Sequence, residues 1–140
     1  MFEETILPLA LADKMGRIRG KTRIQKLLFI TRDRCKARRI AFPEVNYQPY
    51  LYGPFSSLLA ASVDTLVSSG YVSQQTEPTP SGNTVNVYAP TPEGREFLTR
   101  AQAAGLIDKN VVSVIDEVAK KFGDWPLDEL VDYAKSLEYT

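Results

Sequence analysis

The chain has no histidine and a single cysteine, Cys35, in 140 residues. A lone thiol cannot close an intrachain disulfide. Without histidine there is no Ser-His-Asp triad, no Cys-His nucleophile pair and no Cys/His zinc cluster. A metal site would have to be all carboxylate, and the spacing of Asp116, Glu117, Asp128, Glu129 and Asp132 matches no calcium loop. No catalytic residue, metal or cofactor is therefore expected, and the chain reads as non-enzymatic. No apolar run approaches the length needed to span a bilayer. The opening MFEETILPLALADKMG places two acids where a secretory leader carries positive charge, so a cytoplasmic protein without membrane contact is expected. Internal repeats and low-complexity tracts are also missing.

What is present is an ordinary globular composition, 44% hydrophobic and 24% charged. A chain of this size buries roughly 70% of the surface its unfolded form exposes, enough for one core without staples. The formal charge of zero, 17 bases against 17 acids, hides two opposed halves. Residues 1–40 carry 11 Lys and Arg against 4 acids, and residues 41–140 carry 6 against 13. Between Ile40 and Gly94 there is no Lys or Arg at all.

Apolar periodicity predicts the order of elements. Phe2, Ile6, Leu9 and Ala10 mark a short amphipathic helix over 2–15 that Gly16 ends, and a basic link, RIRGK, follows. From Thr22 a helix puts Ile24, Leu27, Leu28, Thr31 and Cys35 on one stripe, its first half buried and its second solvated. FPEVNYQPYLYGP reads as an extended segment or short edge strand. Pro54 then stands at the first turn of a helix that Gly70 stops, with Phe55, Leu59, Val63 and Leu66 inward. YVSQQTE and TVNVYA form a hairpin around PTPSGN. Thr91 caps a further helix with Pro92 in its first turn. Another carries Val111, Val114, Ile115, Val118 and Phe122, and the last carries Leu127, Leu130, Val131, Ala134 and Leu137 inward.

A helix ended by Gly, then strand, tight turn and strand, describes a winged helix-turn-helix. The expected class is α+β and mostly helical, with a two-stranded wing. The winged-helix core would span 1–104, and a C-terminal helical extension, 105–140, would pack on the same domain. The stretches GKTRIQKLLFI, YLYGPFSSLLAASVDTLVSSGYV, VYAPTPEGREFL and WPLDELVDYAKSLEY resemble the YwgA-like family of bacteria and archaea. More distantly, they are similar to the Panacea antitoxin domains found beside toxins and in phages. The resemblance implies the winged-helix fold and brings no catalytic residues.

Three features compete as sites. GRIRGKT, residues 16–22, looks like a phosphate-binding loop, but only three residues separate Gly16 from Gly20 where four are needed, and a helix rather than a strand precedes it. The basic run is the second: Arg17, Arg19, Lys21, Arg23, Arg32, Lys36 and Arg39 are the candidate nucleic-acid contacts, of the sequence-nonspecific backbone kind. On a helical projection Arg32, Lys36 and Arg39 flank the apolar stripe on one side, and Arg23, Lys26 and Arg34 on the other. The competing reading pairs these cations with residues 108–140, which hold eight acids and four bases. The third is the outward face of the helix before the hairpin, Ser57, Ala61, Asp64 and Ser68. It offers no bidentate contact to guanine, and its small side chains suit a partner protein or a homodimer. The aromatic group Tyr47, Tyr50, Tyr52 and Phe55 has two readings, a base-stacking platform or, as is commoner beside Pro and Gly, a cap on the core, and Trp125 is read as a core anchor for the last helix. Two functions follow: a regulatory adaptor touching nucleic acid through its basic segment, or an antitoxin-like or defence-associated interaction module that binds protein and no DNA.

Overall fold

The computed structural model describes residues 2–138, the side chain of Glu138 excepted. Six helices and three strands follow in the order α1 (Glu3–Met15), β1 (Ile18–Arg19), α2 (Lys21–Ala37), α3 (Ser57–Ser68), β2 (Val72–Pro78), β3 (Thr84–Pro90), α4 (Pro92–Ala103), α5 (Lys109–Phe122) and α6 (Leu127–Glu138). The architecture is α+β and mostly helical, with one antiparallel sheet ordered β1-β3-β2.

The expected hairpin is there, with Val72 opposite Pro90 and Pro78 opposite Thr84. Its two strands are joined by a third, formed within the basic link RIRGK. β1 pairs Ile18 with Tyr88 and Arg19 with Val87. Two residues are too few for an alternation to show, and only Ile18 is buried. The sheet is therefore three-stranded where two strands were expected, while a helix, α1, precedes the 16–22 stretch as expected.

α1 also departs from expectation. Every residue from Ile6 to Ala12 is buried, so it is a central helix and not an amphipathic surface one. It packs on α2, α3, α4, α5 and β3, and a helix enclosed on all sides has no polar face to keep. Phe2 lies outside the helix and is exposed. α2 runs beside α1 and contacts α3, α5 and α6. Its stripe is wider than expected, because Gln25 and Lys26 are buried along with Ile24 and the run from Leu27 to Thr31. α5 and α6 supply Val111, Val114, Ile115, Val118, Phe122 and Leu130 to the same core as α1 and α2. Trp125 anchors α6 as expected, its ring 4.7 Å from that of Phe122 and 5.7 Å from that of Tyr133.

The segment before α3 is not an edge strand of the sheet. It doubles back through one antiparallel bridge between Gln48 and Phe55 and turns at Gly53, whose N–H donates to the Tyr50 carbonyl at 3.1 Å. α3 begins at Ser57, not at Pro54, because Ser56 is the cap: its Oγ accepts from the Leu59 N–H at 3.1 Å. Leu59, Val63 and Leu66 form its buried stripe as expected. Thr91 caps α4 in the same way, with the Gly94 N–H donating to Oγ1 at 2.9 Å. Among the described residues no helix is long and apolar enough to cross a membrane.

Candidate functional site

The basic run does not form one surface. Folding brings Arg17 and Arg19 onto β2, where both guanidiniums meet Glu77, Arg19 at 2.5 Å. Lys21, at the start of α2, reaches across to Asp64 on α3 at 2.9 Å, a contact that raises the pKa of its ammonium. Arg23 donates to two carbonyl oxygens in the turn that follows α5, Gly123 at 3.0 Å and Trp125 at 2.7 Å. Gly123 caps the C-terminal end of α5, so its carbonyl lies at the negative end of the helix dipole, and the arginine satisfies it together with the Trp125 carbonyl in the turn to α6. Lys26, expected on a flank of the apolar stripe, is 2% exposed and donates to the Pro54 carbonyl at 2.7 Å. Arg38 pairs with Glu117. The cations thus find carboxylates, but mainly on β2 and α3. Among the described residues the acid-rich C-terminal helices, expected to supply the partners, contribute Glu117.

Arg32, Lys36 and Arg39 make no ion pair among the described residues. Arg32 and Lys36 lie one turn apart on α2 and line a hollow of about 300 Å³ with Phe29, Tyr47 and Asp33. The Arg32 guanidinium carbon lies 5.9 Å from the Phe29 ring centre and 5.8 Å from that of Tyr47, within reach of both π faces. Arg39 does not continue this row. α2 ends at Ala37, and Arg39 turns into the left-handed region with φ 57°, so a helical projection misplaces it.

Ser57, Ala61, Asp64 and Ser68 are all exposed along α3, as their spacing predicts, with Asp64 held by Lys21. The aromatic loop divides. Tyr47 packs edge-on against Phe29 at 4.9 Å, while Tyr50 and Tyr52 are each 63% exposed and Leu51 is 77% exposed. Their expected role as core caps therefore fails, because the turn at Gly53 throws residues 50–52 outward. Leu127, expected inward, is 42% exposed for the related reason that it opens α6 at the surface facing this loop.

Cys35 is fully buried, and burial pushes its thiol up to about 11, which leaves almost no thiolate near neutrality. Among the described residues no group of three or more metal-ligating side chains converges. Gly20, with φ 93°, caps α2 directly after β1, but the three-residue spacing from Gly16 is unchanged and the neighbouring Arg17 and Arg19 are engaged by Glu77. No family model, curated protein or solved structure matches the chain.

Proposed function

We propose that this chain is a non-enzymatic interaction module on a winged-helix scaffold, whose partner is a protein met through the exposed face of α3. The observation that carries this reading is the internal use of the basic segment. Glu77 and Asp64, on the elements that would be the wing and the recognition helix, already hold Arg17, Arg19 and Lys21. A duplex approaching α3 and the hairpin would meet two carboxylates and no unpaired cation on those elements. The small side chains of Ser57, Ala61 and Ser68 let a partner backbone approach closely. The resemblance of the quoted stretches to YwgA-like and Panacea antitoxin domains supports the same reading, that of an antitoxin-like or defence-associated adaptor.

A long cation in the middle of that face tests it. Ala61→Arg is expected to dissolve the complex that co-purifies with the tagged chain, or its homodimer, as read by size-exclusion chromatography with light scattering. An unchanged assembly would overturn the reading.

A second reading is favoured by Arg32, Lys36 and Arg39, the part of the run without ion pairs. It gives the module a sequence-nonspecific contact with a nucleic-acid backbone at the C-terminal end of α2. Replacing all three with Ala is expected to abolish any mobility shift at low salt and to flatten its salt dependence. A shift that survives the triple substitution sinks this reading.

A further inference from the structure

The exposed apolar loop and the start of α6 belong together. Tyr52, Leu127 and Val131 form an apolar hollow of about 420 Å³ with Thr22, and Asp128 and Asp132 stand on its rim. A second, smaller hollow of about 120 Å³ is lined by Tyr50, Tyr52 and Phe55, so Tyr52 lines both. The arrangement is held firmly. The Gln48–Phe55 bridge closes the loop with bonds of 2.8 and 2.9 Å. Lys26 grips the Pro54 carbonyl from inside the core, and a Cβ at Gly53 would come within 3.2 Å of Lys135 and 3.4 Å of Lys26. Three consecutive large side chains on a braced turn forgo the stabilisation that burial would bring, and they are placed where another chain can bury them.

The rim identifies the occupant. Leu127 and Val131 are four residues apart on α6, as are Asp128 and Asp132, so an apolar ridge and an acidic ridge run side by side for one turn. Neither aspartate has an ion pair among the described residues. Two carboxylates one turn apart repel each other until a cation comes between them, and they repel phosphate backbones. We infer that this groove docks a segment of another protein that combines apolar side chains for the Tyr52–Leu127 hollow with Lys or Arg for Asp128 and Asp132. An amphipathic basic helix laid in the groove fits this geometry. The inference deepens the protein-partner reading by adding a surface separate from the α3 face and by stating the partner's chemistry.

Fluorescence anisotropy of the full chain tests it with labelled peptides of roughly 14 residues, a length that spans a groove as a helix. One peptide carries Leu and Phe at helical spacing with Lys and Arg elsewhere. A second replaces each Lys and Arg with Glu, and a third replaces each Leu and Phe with Ser. The first is expected to bind in the micromolar range, and the other two about tenfold or more weaker. Asp128→Asn with Asp132→Asn should weaken the first peptide about tenfold and remove most of its salt dependence. Tyr52→Ser should weaken it about as much and leave the salt dependence in place. Absence of binding, equal binding of the acidic peptide, or binding indifferent to these substitutions would overturn the proposal. So would sedimentation showing a dimer of this chain that the Asp128 and Asp132 changes dissolve, since the occupant would then be a second copy. Ala61→Arg should leave peptide binding unchanged, so failure at the groove and failure at the α3 face are told apart.

Discussion

Gln25 ties α2 to the loop ahead of α3 with one side chain. Its Nε2 donates to the Ser56 carbonyl at 2.8 Å, and its Oε1 accepts from the Ser56 N–H at 2.9 Å, both in the interior. Gln25→Leu keeps the volume and strands the buried Ser56 N–H, while the Ser56 carbonyl still accepts from the Ala60 N–H, so it is expected to cost about 1–3 kcal/mol in urea unfolding. Cys35 makes a different prediction, in pH. An unfolded thiol ionises near about 8.5, while burial holds the folded one up to about 11. Through that window only the unfolded chain has released the proton, so stability falls as pH rises from about 9 toward 11 and is unaffected below it. Burial also raises the Tyr88 hydroxyl, which adds to the loss at higher pH. Urea midpoints at pH 7.5 and 10 check the sign, and Cys35→Ala should lower the midpoint at neutral pH while making its decline with pH shallower.

At the level of elements, α4 is seated on the turn between α3 and β2 by two neighbouring residues. Thr91 caps the helix and also donates its hydroxyl to the Gly70 carbonyl at 2.6 Å, while its N–H reaches the Tyr71 carbonyl at 3.1 Å. Gly94 lies against the Tyr71 backbone so closely that a Cβ would fall 2.0 Å from its carbonyl oxygen. Thr91→Ala should cost about 1–2 kcal/mol, the loss of a cap. Gly94→Ala should cost about 3 kcal/mol or more, because backbone on both sides must move; thermal unfolding of the two variants gives the comparison. The Thr91 cap was legible in the sequence because a capping residue followed by Pro is a local signal, and so was the α5 stripe, whose five apolar residues are all buried. The elements that escaped it depend on distant partners. β1 exists because β3 offers it an edge, and α1 loses its amphipathic character because four helices and a strand surround it. Tyr52 and Leu127 look like core residues by type. Only the turn at Gly53 and the placement of α6 leave them exposed, so the groove they form had no sequence signal beyond an unusual Tyr-Leu-Tyr beside Pro and Gly.

Across the whole molecule the zero net charge is assembled from contacts that can be undone. The positive run before residue 40 lies against carboxylates at Glu77, Asp64 and Glu117, each pair partly exposed and joining segments far apart in sequence. Exposed pairs of this kind are worth about 0–1 kcal/mol each, so they contribute little to the stability of the fold. Their larger effect is on the field outside it, because each paired carboxylate cancels the attraction its cation would exert on a polyanion. Glu77→Gln with Asp64→Asn removes two negative charges and leaves Arg17, Arg19 and Lys21 without their partners. The double variant is expected to melt close to the parent chain. If the internal carboxylates are what keeps this scaffold from duplex DNA, it should also bind nonspecific DNA more tightly at low salt. The plot of log affinity against log salt should then steepen by about two to three, one for each released cation that reaches a phosphate. A slope equal to that of the parent chain would mean that these three side chains do not face a common polyanion even when released. The α3 face and the acidic groove at Tyr52 would then be left as the surfaces through which the chain acts.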